Sequence, residues 1–389
     1  MPNQKKNSFL FLVYLAGLSI IGFLATDMYL PAFDKMRIDL DTTKSNISAS
    51  LSLFLGGYAI GQLLWGPISD KMGKSKAILI GLTIFTLSSI GIYFSNSVIV
   101  LLILRLVQAI GVCAAAVSWQ ALVIEKYPKE ETTKVFASIM PLVALSPALA
   151  PLLGVYLLNH FGWKSIFITL AIIAIILIAY TLTLKGNKVA NDQQEQAETK
   201  SYLSLLKSRK YLGNVTIYAV CSGAFFAWLT GSPFFLKELG YNESEIGFSF
   251  VPQTIAFLVG GYGYRYLSNK IESNKILPYF IILYSLSVTS ILLLSVLTTP
   301  TLTTLLIPFC LMALSNGACY PIVVSEALKC FPNNSGKAAA MQNTLQLGVC
   351  FLTSAIVSLF TTDALLTTSI VMAGTIPLMY LGYKLAIKK

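Results

Sequence analysis

Twelve apolar stretches, each about as long as a membrane-spanning helix, constrain this chain of 389 residues more than any other feature. A helix needs about 20 apolar residues to cross the hydrocarbon core of a bilayer. The strands of a membrane β-barrel would be about 10 residues long and would alternate in polarity. The sequence therefore predicts an all-α membrane protein with twelve transmembrane helices. The predicted spans are residues 9–31, 46–68, 76–95, 98–124, 132–158, 163–184, 211–236, 244–268, 275–297, 301–328, 336–360 and 364–385.

The composition excludes a soluble protein, because charged residues make up 12% of the chain and soluble domains usually carry about 25%. The formal net charge of +11 follows membrane topology. Of the 28 Lys and Arg residues, Arg105 lies deep within a predicted span, and five lie in or at the edge of predicted outer loops. Those five are Lys35, Arg37, Lys44, Lys164 and Lys237. The others follow the positive-inside rule, so we expect cytoplasmic N- and C-termini, a lipid bilayer around the chain and no nucleic-acid partner.

The longest polar interruption runs from Lys185 to Lys210 and separates six predicted spans from six. Its Gln, Lys and Glu residues are typical of a flexible linker, and its last ten residues predict a short amphipathic helix. We expect an N-terminal six-helix bundle over residues 1–184, a cytoplasmic linker over 185–210 and a C-terminal six-helix bundle over 211–389. This is the layout of two-bundle transporters.

Asp27 is the one carboxylate well inside a predicted span, four residues before Pro31. A charged side chain at membrane depth costs roughly 2.5–3.5 kcal/mol even on lenient insertion scales. Arg105 is the matching cation, about 10 Å inside the start of its own span by the helix rise. By the same rise, Asp27 lies roughly 6–9 Å from the outer end of its span. Since both residues lie at similar depths, we expect Asp27 and Arg105 to form a couple, directly or through water. Protonation of the acid or arrival of a substrate would break the couple and link proton movement to transport.

Enzymatic chemistry has little support in the sequence. The single histidine, His160, lies in a predicted outer turn, and the six cysteines form no C-x-x-C pair. We therefore predict a non-enzymatic protein with no metal site and no cofactor, driven by the proton gradient.

The loop from Gly66 to Lys76, "GPISDKMGKSK", resembles the signature loop of the major facilitator superfamily. The resemblance implies the two-bundle fold, a monomer and a conformational gating motif. The gating residues implied are Gly66, Asp70, Lys71, Gly73 and Lys74. Glycine would let a neighbouring helix approach closely at Gly66. An ordinary basic turn is the alternative interpretation of this loop.

The stretch "MPLVALSPALAPLLG", from Met140 to Gly154, resembles the antiporter motif that this superfamily carries on its fifth span. The implied motif residues are Pro147, Pro151 and Gly154. Alanine stands where the motif usually has several glycines, so a helix that is merely kinked by its prolines is the alternative.

The opening span, "GFLATDMYLPAF", resembles the Bcr/CflA branch of drug:proton antiporters. Within that branch, long stretches such as "RLVQAIGVCAAAVSWQALV" are most similar to the purine nucleoside transporters of the bacterial inner membrane (PunC type). The resemblance implies proton-coupled movement of adenosine- or inosine-like nucleosides across that membrane. The alternative that it leaves open is a multidrug:proton antiporter exporting small drugs.

Neutral polar and aromatic residues are the candidate substrate contacts. Amides both donate and accept hydrogen bonds, and aromatic rings stack on flat solutes. The pattern favours a neutral, planar, polar solute over a lipophilic cation, although core packing is the alternative for any single residue. The candidates are Tyr58, Gln62, Gln108, Trp119, Gln120, Phe225, Trp228, Gln253, Asn316, Gln342, Asn343 and Gln346.

Overall fold

The computed structural model describes residues 2–127, 129–184, 205–331 and 335–387, and these ranges are helical apart from short connections. The helices are α1 (Pro2–Asp27), α2 (Phe33–Asp39), α3 (Lys44–Met72), α4 (Lys74–Phe94), α5 (Val98–Lys126), α6 (Lys129–Phe161), α7 (Lys164–Thr183), α8 (Arg209–Glu238), α9 (Glu243–Leu267), α10 (Ser273–Leu297), α11 (Leu302–Lys329), α12 (Ser335–Leu359) and α13 (Ala364–Ile387). A 3-10 helix, Leu30–Ala32, joins α1 to α2.

Twelve segments in these described ranges are long and apolar enough to cross a membrane, which confirms the predicted fold class. The first span differs most from its predicted bounds. It runs from Phe9 to Asp39 rather than ending at residue 31, because the 3-10 helix and α2 continue it. The carboxylate of Asp39 fastens the far end of α2, since it accepts a hydrogen bond from the Trp163 indole Nε1 at 2.8 Å.

Proline accounts for the end of α1 at Asp27. Pro31 has no backbone N–H and cannot donate to the carbonyl of the residue four positions earlier, which is Asp27. The helical ladder reaches Met28, whose N–H donates to the Leu24 carbonyl at 3.1 Å. The next turn is tighter, because the Ala32 N–H donates to the Tyr29 carbonyl at 3.0 Å. The acid therefore lies at the break between two helical segments.

The chain forms two compact units. One contains Met1–Thr42 and Leu53–Asp192, and the other contains Thr43–Ser52 and Gln193–Lys389. Residues 185–204 of the predicted linker lie outside the described residues. After them, Leu205 is fully buried in a cluster with Tyr211 and Phe331.

Small residues allow close helix contacts within each unit. In the first unit, a Cβ on Gly111 of α5 would stand 2.7 Å from the carbonyl oxygen of Gly81 on α4. In the second unit, a Cβ on Gly260 of α9 would lie 1.9 Å from the Leu314 carbonyl oxygen of α11. Backbones this close are typical of helix pairs packed through small residues in membranes.

Candidate functional site

Arg105 of α5 is fully buried and binds the end of α1. Its Nη2 donates to the Ala25 carbonyl at 3.1 Å, and its Nη1 donates to Gln108 Oε1 at 2.6 Å. The Ala25 carbonyl belongs to the last turn of α1, where a helix leaves carbonyls without intrahelical donors. Cations are favoured at helix C-termini, where the partial charge is negative. Arg105 therefore caps the end of α1 from a neighbouring helix.

Aromatic rings enclose the guanidinium. Its Cζ lies 4.2 Å from the ring centroid of Tyr29 and 4.2 Å from that of Phe54, with Phe167 at 5.8 Å. Such contacts contribute up to about 2 kcal/mol when the cation is desolvated. The rings come from the segment after α1, from α3 and from α7. The buried charge is thus stabilised by π faces and dipoles.

Gln108 extends this network to α4. Its Nε2 donates to the Ser89 hydroxyl at 2.7 Å, and that hydroxyl donates to the Phe85 carbonyl at 2.7 Å. Gln108 is fully buried, and both ends of its amide are engaged. We therefore interpret Gln108 as a support of Arg105 instead of a substrate contact.

Asp27 is buried, with 3% of its surface exposed, two residues beyond the carbonyl that Arg105 binds. The ion pairs among the residues that the structure describes do not include Asp27 or Arg105. The expected direct ion pair is therefore absent from this structure, because the guanidinium binds the helix end. Arg105 of α5 nevertheless lies next to the last turn of α1, the part of the helix that carries Asp27.

The Arg105 Nε is buried and has no hydrogen-bond partner in the described part of the chain. The free N–H of this desolvated cation can donate to an anion or a carbonyl. Its hydrogen bonds to Gln108 and to the Ala25 carbonyl would stay intact. The site therefore holds a buried acid and a buried cation with one unused donor on adjacent helices. The proton-coupling roles of Asp27 and Arg105 stay predictions.

The candidate substrate contacts of the first unit differ in accessibility. Tyr58 and Gln62 of α3 are half-buried, and Gln120 of α5 is exposed. Trp119 is buried, with its ring 5.5 Å from that of Phe136 in an edge-on contact. Polar side chains at membrane depth face the protein interior or a water-filled cavity. Tyr58, Gln62 and Gln120 therefore remain the stronger candidates of this unit.

Three buried amides of the second unit keep one unpartnered atom each. These atoms are Gln253 Nε2, Asn316 Oδ1 and Gln342 Oε1. The other end of Asn316 donates to the Cys221 carbonyl at 3.3 Å. Together the three atoms offer one donor and two acceptors at buried positions. Leaving such groups unpaired costs about 1–3 kcal/mol each.

The remaining candidates of the second unit are aromatic or half-buried. Trp228 is buried, and its ring stacks on Phe309 at 4.0 Å. Phe225 is half-buried and stacks on the same ring at 6.3 Å. Asn343 and Gln346 of α12 are half-buried. The face of Trp228 toward Phe309 is therefore occupied by packing, and Phe225 is the more accessible of the two aromatic candidates.

The structure describes the residues of the gating motif except for the side chain of Asp70. Gly73 has φ +90° between α3 and α4, a conformation that favours glycine over any L residue. Lys71 is exposed, and the Lys74 Nζ donates to the Ser69 hydroxyl at 3.3 Å. Among the described residues, nothing lies within 4 Å of a Cβ built on Gly66, so this part of the chain does not supply the close helix approach expected at Gly66. The Asp70 side chain lies outside the described residues.

The antiporter-like motif of the fifth span lies on one continuous helix, α6. Pro147 is half-buried, while Pro151 and Gly154 are buried. Gly154 packs against the backbone of Met28, the residue after Asp27. The sequence reasoning missed the ring cage of Tyr29, Phe54 and Phe167, because three segments far apart in sequence supply it.

Comparison with known proteins places this arrangement in a family. The sequence profile of the Major Facilitator Superfamily matches residues 15–354. The chain belongs to the Major Facilitator Superfamily. Its members are transporters and not enzymes. The twelve candidate spans and the bacterial relatives below indicate a multi-pass protein of the bacterial inner membrane.

Three curated relatives illustrate the similarity. The bicyclomycin resistance protein homolog of Haemophilus influenzae is 28% identical over 267 residues, which are 67% of this chain and 67% of the relative. The MFS-type transporter YdgK of Bacillus subtilis is 33% identical over 264 residues, 66% of this chain and 64% of the relative. The chloramphenicol resistance protein of Pseudomonas aeruginosa is 32% identical over 247 residues, 62% and 58% of the two. The chain thus covers less than two thirds of the length of the last two.

Two solved structures share the fold. The crystal structure of a D-xylose-proton symporter superposes with a TM-score of 0.75 at 15% identity, over 95% of this chain and 97% of that one. A point mutant of the nucleoside transporter NupG superposes with a TM-score of 0.74 at 15% identity, over 97% and 100% of the chains. At this identity the likeness concerns the fold alone.

Proposed function

We propose that the Major Facilitator chain is a proton-coupled exporter of small drug-like molecules, with both termini in the cytoplasm. Relatives named for resistance to bicyclomycin and chloramphenicol support this reading. So does the multidrug transporter MdfA of Yersinia pestis, which is 26% identical over 277 residues, 68% of this chain and 66% of the relative. Export against a concentration gradient needs an energy source, and protons that enter the cell supply it.

The observation that carries the proposal is Asp27, a buried acid at a helix break beside a capped helix end. An ionised carboxylate at this depth is costly, so the acid is best occupied either by a proton or by an interaction with Arg105 or the substrate. Binding of a substrate near this acid would expel the proton to one side of the membrane. Return of the protein without substrate would take up a proton from the other side.

The ionisable residues and the neutral residues have different roles in this proposal. Arg105 keeps the end of α1 in place through the Ala25 carbonyl, and its free Nε offers one hydrogen bond. The accessible Gln62 and Gln120 offer neutral contacts. In this scheme the acid couples transport to protons, while the amides and aromatic side chains set the affinity.

Purine nucleoside transport is the second candidate. The unpaired atoms of Gln253, Asn316 and Gln342 favour it, since a nucleobase edge and a ribose need both donors and acceptors. The relatives that carry names point to drugs instead, and the NupG likeness concerns the fold. We therefore rank nucleoside uptake below drug export.

Proteoliposomes with an imposed pH gradient separate the two. If the proposal holds, labelled chloramphenicol accumulates in vesicles with an acidic lumen and adenosine does not. Chloramphenicol should also raise the melting temperature of the purified protein. Proton-coupled adenosine uptake is assayed with the opposite gradient, in vesicles with an alkaline lumen. Adenosine accumulation under that gradient, with adenosine instead of chloramphenicol stabilising the protein, would replace drug export with nucleoside transport.

Replacement of the acid tests proton coupling. Asp27→Asn should abolish chloramphenicol accumulation driven by the pH gradient and leave exchange between labelled and unlabelled chloramphenicol largely intact. Asp41→Asn is a matched control, because Asp41 is exposed with φ +43°, a conformation that asparagine tolerates. Normal accumulation in the Asp27→Asn protein would refute the proton role.

A further inference from the structure

Gly154 of α6 makes a very close backbone contact in the first unit, beside the candidate proton site. A Cβ built on Gly154 would stand 1.7 Å from the Met28 carbonyl oxygen, 2.7 Å from its carbonyl carbon and 3.1 Å from its Cα. The Gly154 Cα–H bond in that direction therefore points at the oxygen. Weak Cα–H···O contacts of this kind recur where helices touch.

The α1 break exposes that carbonyl. In a continuous helix the Ala32 N–H would donate to Met28, but here it donates to Tyr29. Met28 follows directly on Asp27, so the position of the Met28 carbonyl constrains the short stretch of backbone that carries the Asp27 side chain. Met28 is fully buried, which leaves the peptide little room to shift.

Two contacts therefore hold the acid from either side along the chain. Arg105 binds the carbonyl of Ala25, two residues before Asp27. Gly154 abuts the carbonyl of Met28, one residue after it. The first contact is a hydrogen bond from α5, and the second is a steric fit that only a residue without a side chain allows.

We propose that Gly154 is a positioning residue for proton coupling. Its close contact with the Met28 carbonyl fixes the position of Asp27 relative to Arg105. This inference rests on the proposed function, in which Asp27 exchanges protons. A methyl group at position 154 needs an ordinary contact of about 3.5 Å in place of 1.7 Å. The end of α1 must then move away from α6 by more than about 1 Å, and the acid at that end moves with it.

The charged and titratable groups around this segment are few, so a pH profile can report on the acid. From the helices packed on α1, α5 contributes Arg105 and α3 contributes Tyr58, whose hydroxyl lies beside α1. Tyr29 follows within the segment. α7 presents the apolar ring of Phe167, and α6 presents its glycine.

The test is chloramphenicol accumulation in proteoliposomes at a constant pH gradient over a series of absolute pH values. Gly154→Ala should shift the pH of half-maximal transport by one unit or more, equivalent to a tenfold change in proton affinity. Gly374→Ala is the matched control in α13, since a Cβ there would have nothing within 4 Å. A wild-type midpoint in Gly154→Ala, or equal shifts in both variants, would overturn the inference.

A second variant keeps the test decisive if Gly154→Ala fails to fold. Pro31→Ala supplies an N–H that can donate to the Asp27 carbonyl, extends α1 and withdraws the Met28 carbonyl from Gly154. It should shift the midpoint as well, and an unchanged midpoint would overturn the inference. Asp27→Asn distinguishes the two levels: if it retains the wild-type pH profile, the proposed function fails, whatever Gly154→Ala does.

Discussion

Replacement of Arg105 by lysine tests whether the guanidinium acts through its shape as well as its charge. The arginine makes two hydrogen bonds, to Gln108 and to the Ala25 carbonyl, that diverge from one planar fork. It also lies 4.2 Å from two ring centroids, those of Tyr29 and Phe54. A lysine ammonium keeps the positive charge, but it is a compact point charge on a flexible stem and cannot reproduce the fork.

The expected loss follows from these contacts. One hydrogen bond to a charged group contributes about 1.5–3 kcal/mol, and weaker stacking on two rings adds up to about 1 kcal/mol. Arg105→Lys should therefore destabilise the first unit by roughly 2–4 kcal/mol. For a unit of this size, 1 kcal/mol lowers the melting temperature by roughly 2–4 °C, so the expected decrease is roughly 4–16 °C.

The assay is thermal unfolding of the purified protein in detergent, followed by chloramphenicol accumulation in proteoliposomes. Arg265→Lys serves as the control, because Arg265 is an exposed residue near the end of α9. It should melt like the wild type. If Arg105→Lys also melts within about 1 °C of the wild type and transports normally, the capping of α1 by a planar cation is refuted.

Two further substitutions test packing in the second unit. Gly260→Ala places a Cβ 1.9 Å from a carbonyl oxygen of α11 and should lower the melting temperature, whereas Gly263→Ala, with nothing within 4 Å, should not; similar melting of both variants would contradict the close packing of α9 and α11. Tyr211→Phe removes a buried hydroxyl that donates to the Ala338 carbonyl at 2.6 Å and should cost about 1–3 kcal/mol, while Tyr279→Phe, at an exposed position, should be neutral in the same melting assay.

The sequence was sufficient for the fold because hydrophobicity alone decides which segments lie in a membrane. The sequence also predicted that Asp27 and Arg105 lie at similar depths, since the depth of each residue follows from its distance to the end of a span. In the structure, Arg105 of α5 binds the end of α1 that carries Asp27. The sequence could not give the contact between them. The Ala25 carbonyl becomes an acceptor because α1 ends at a proline-induced break, and the arginine then prefers a helix end to a carboxylate.

The candidate substrate contacts were predictable as a class and not one by one. Gln108 and Gln120 lie on the same helix and have the same side chain, yet one is fully buried in the Arg105 network and the other is exposed. The distinction depends on which face of α5 meets α4, which no local pattern specifies. The close contact expected at Gly66, which the described residues do not make, illustrates the same limit, because a glycine permits close packing without requiring it.

The twelve residues from Met28 to Asp39 are attached to the first unit at both ends, by the Gly154 contact and by the Trp163 indole. A strut fastened in this way resists sliding of α1 along its own axis. Changes at Asp27 between the charged and neutral forms must then be absorbed by rotation about side-chain bonds. Such side-chain rotations are small and fast, and they do not require the surrounding backbone to move during the transport cycle.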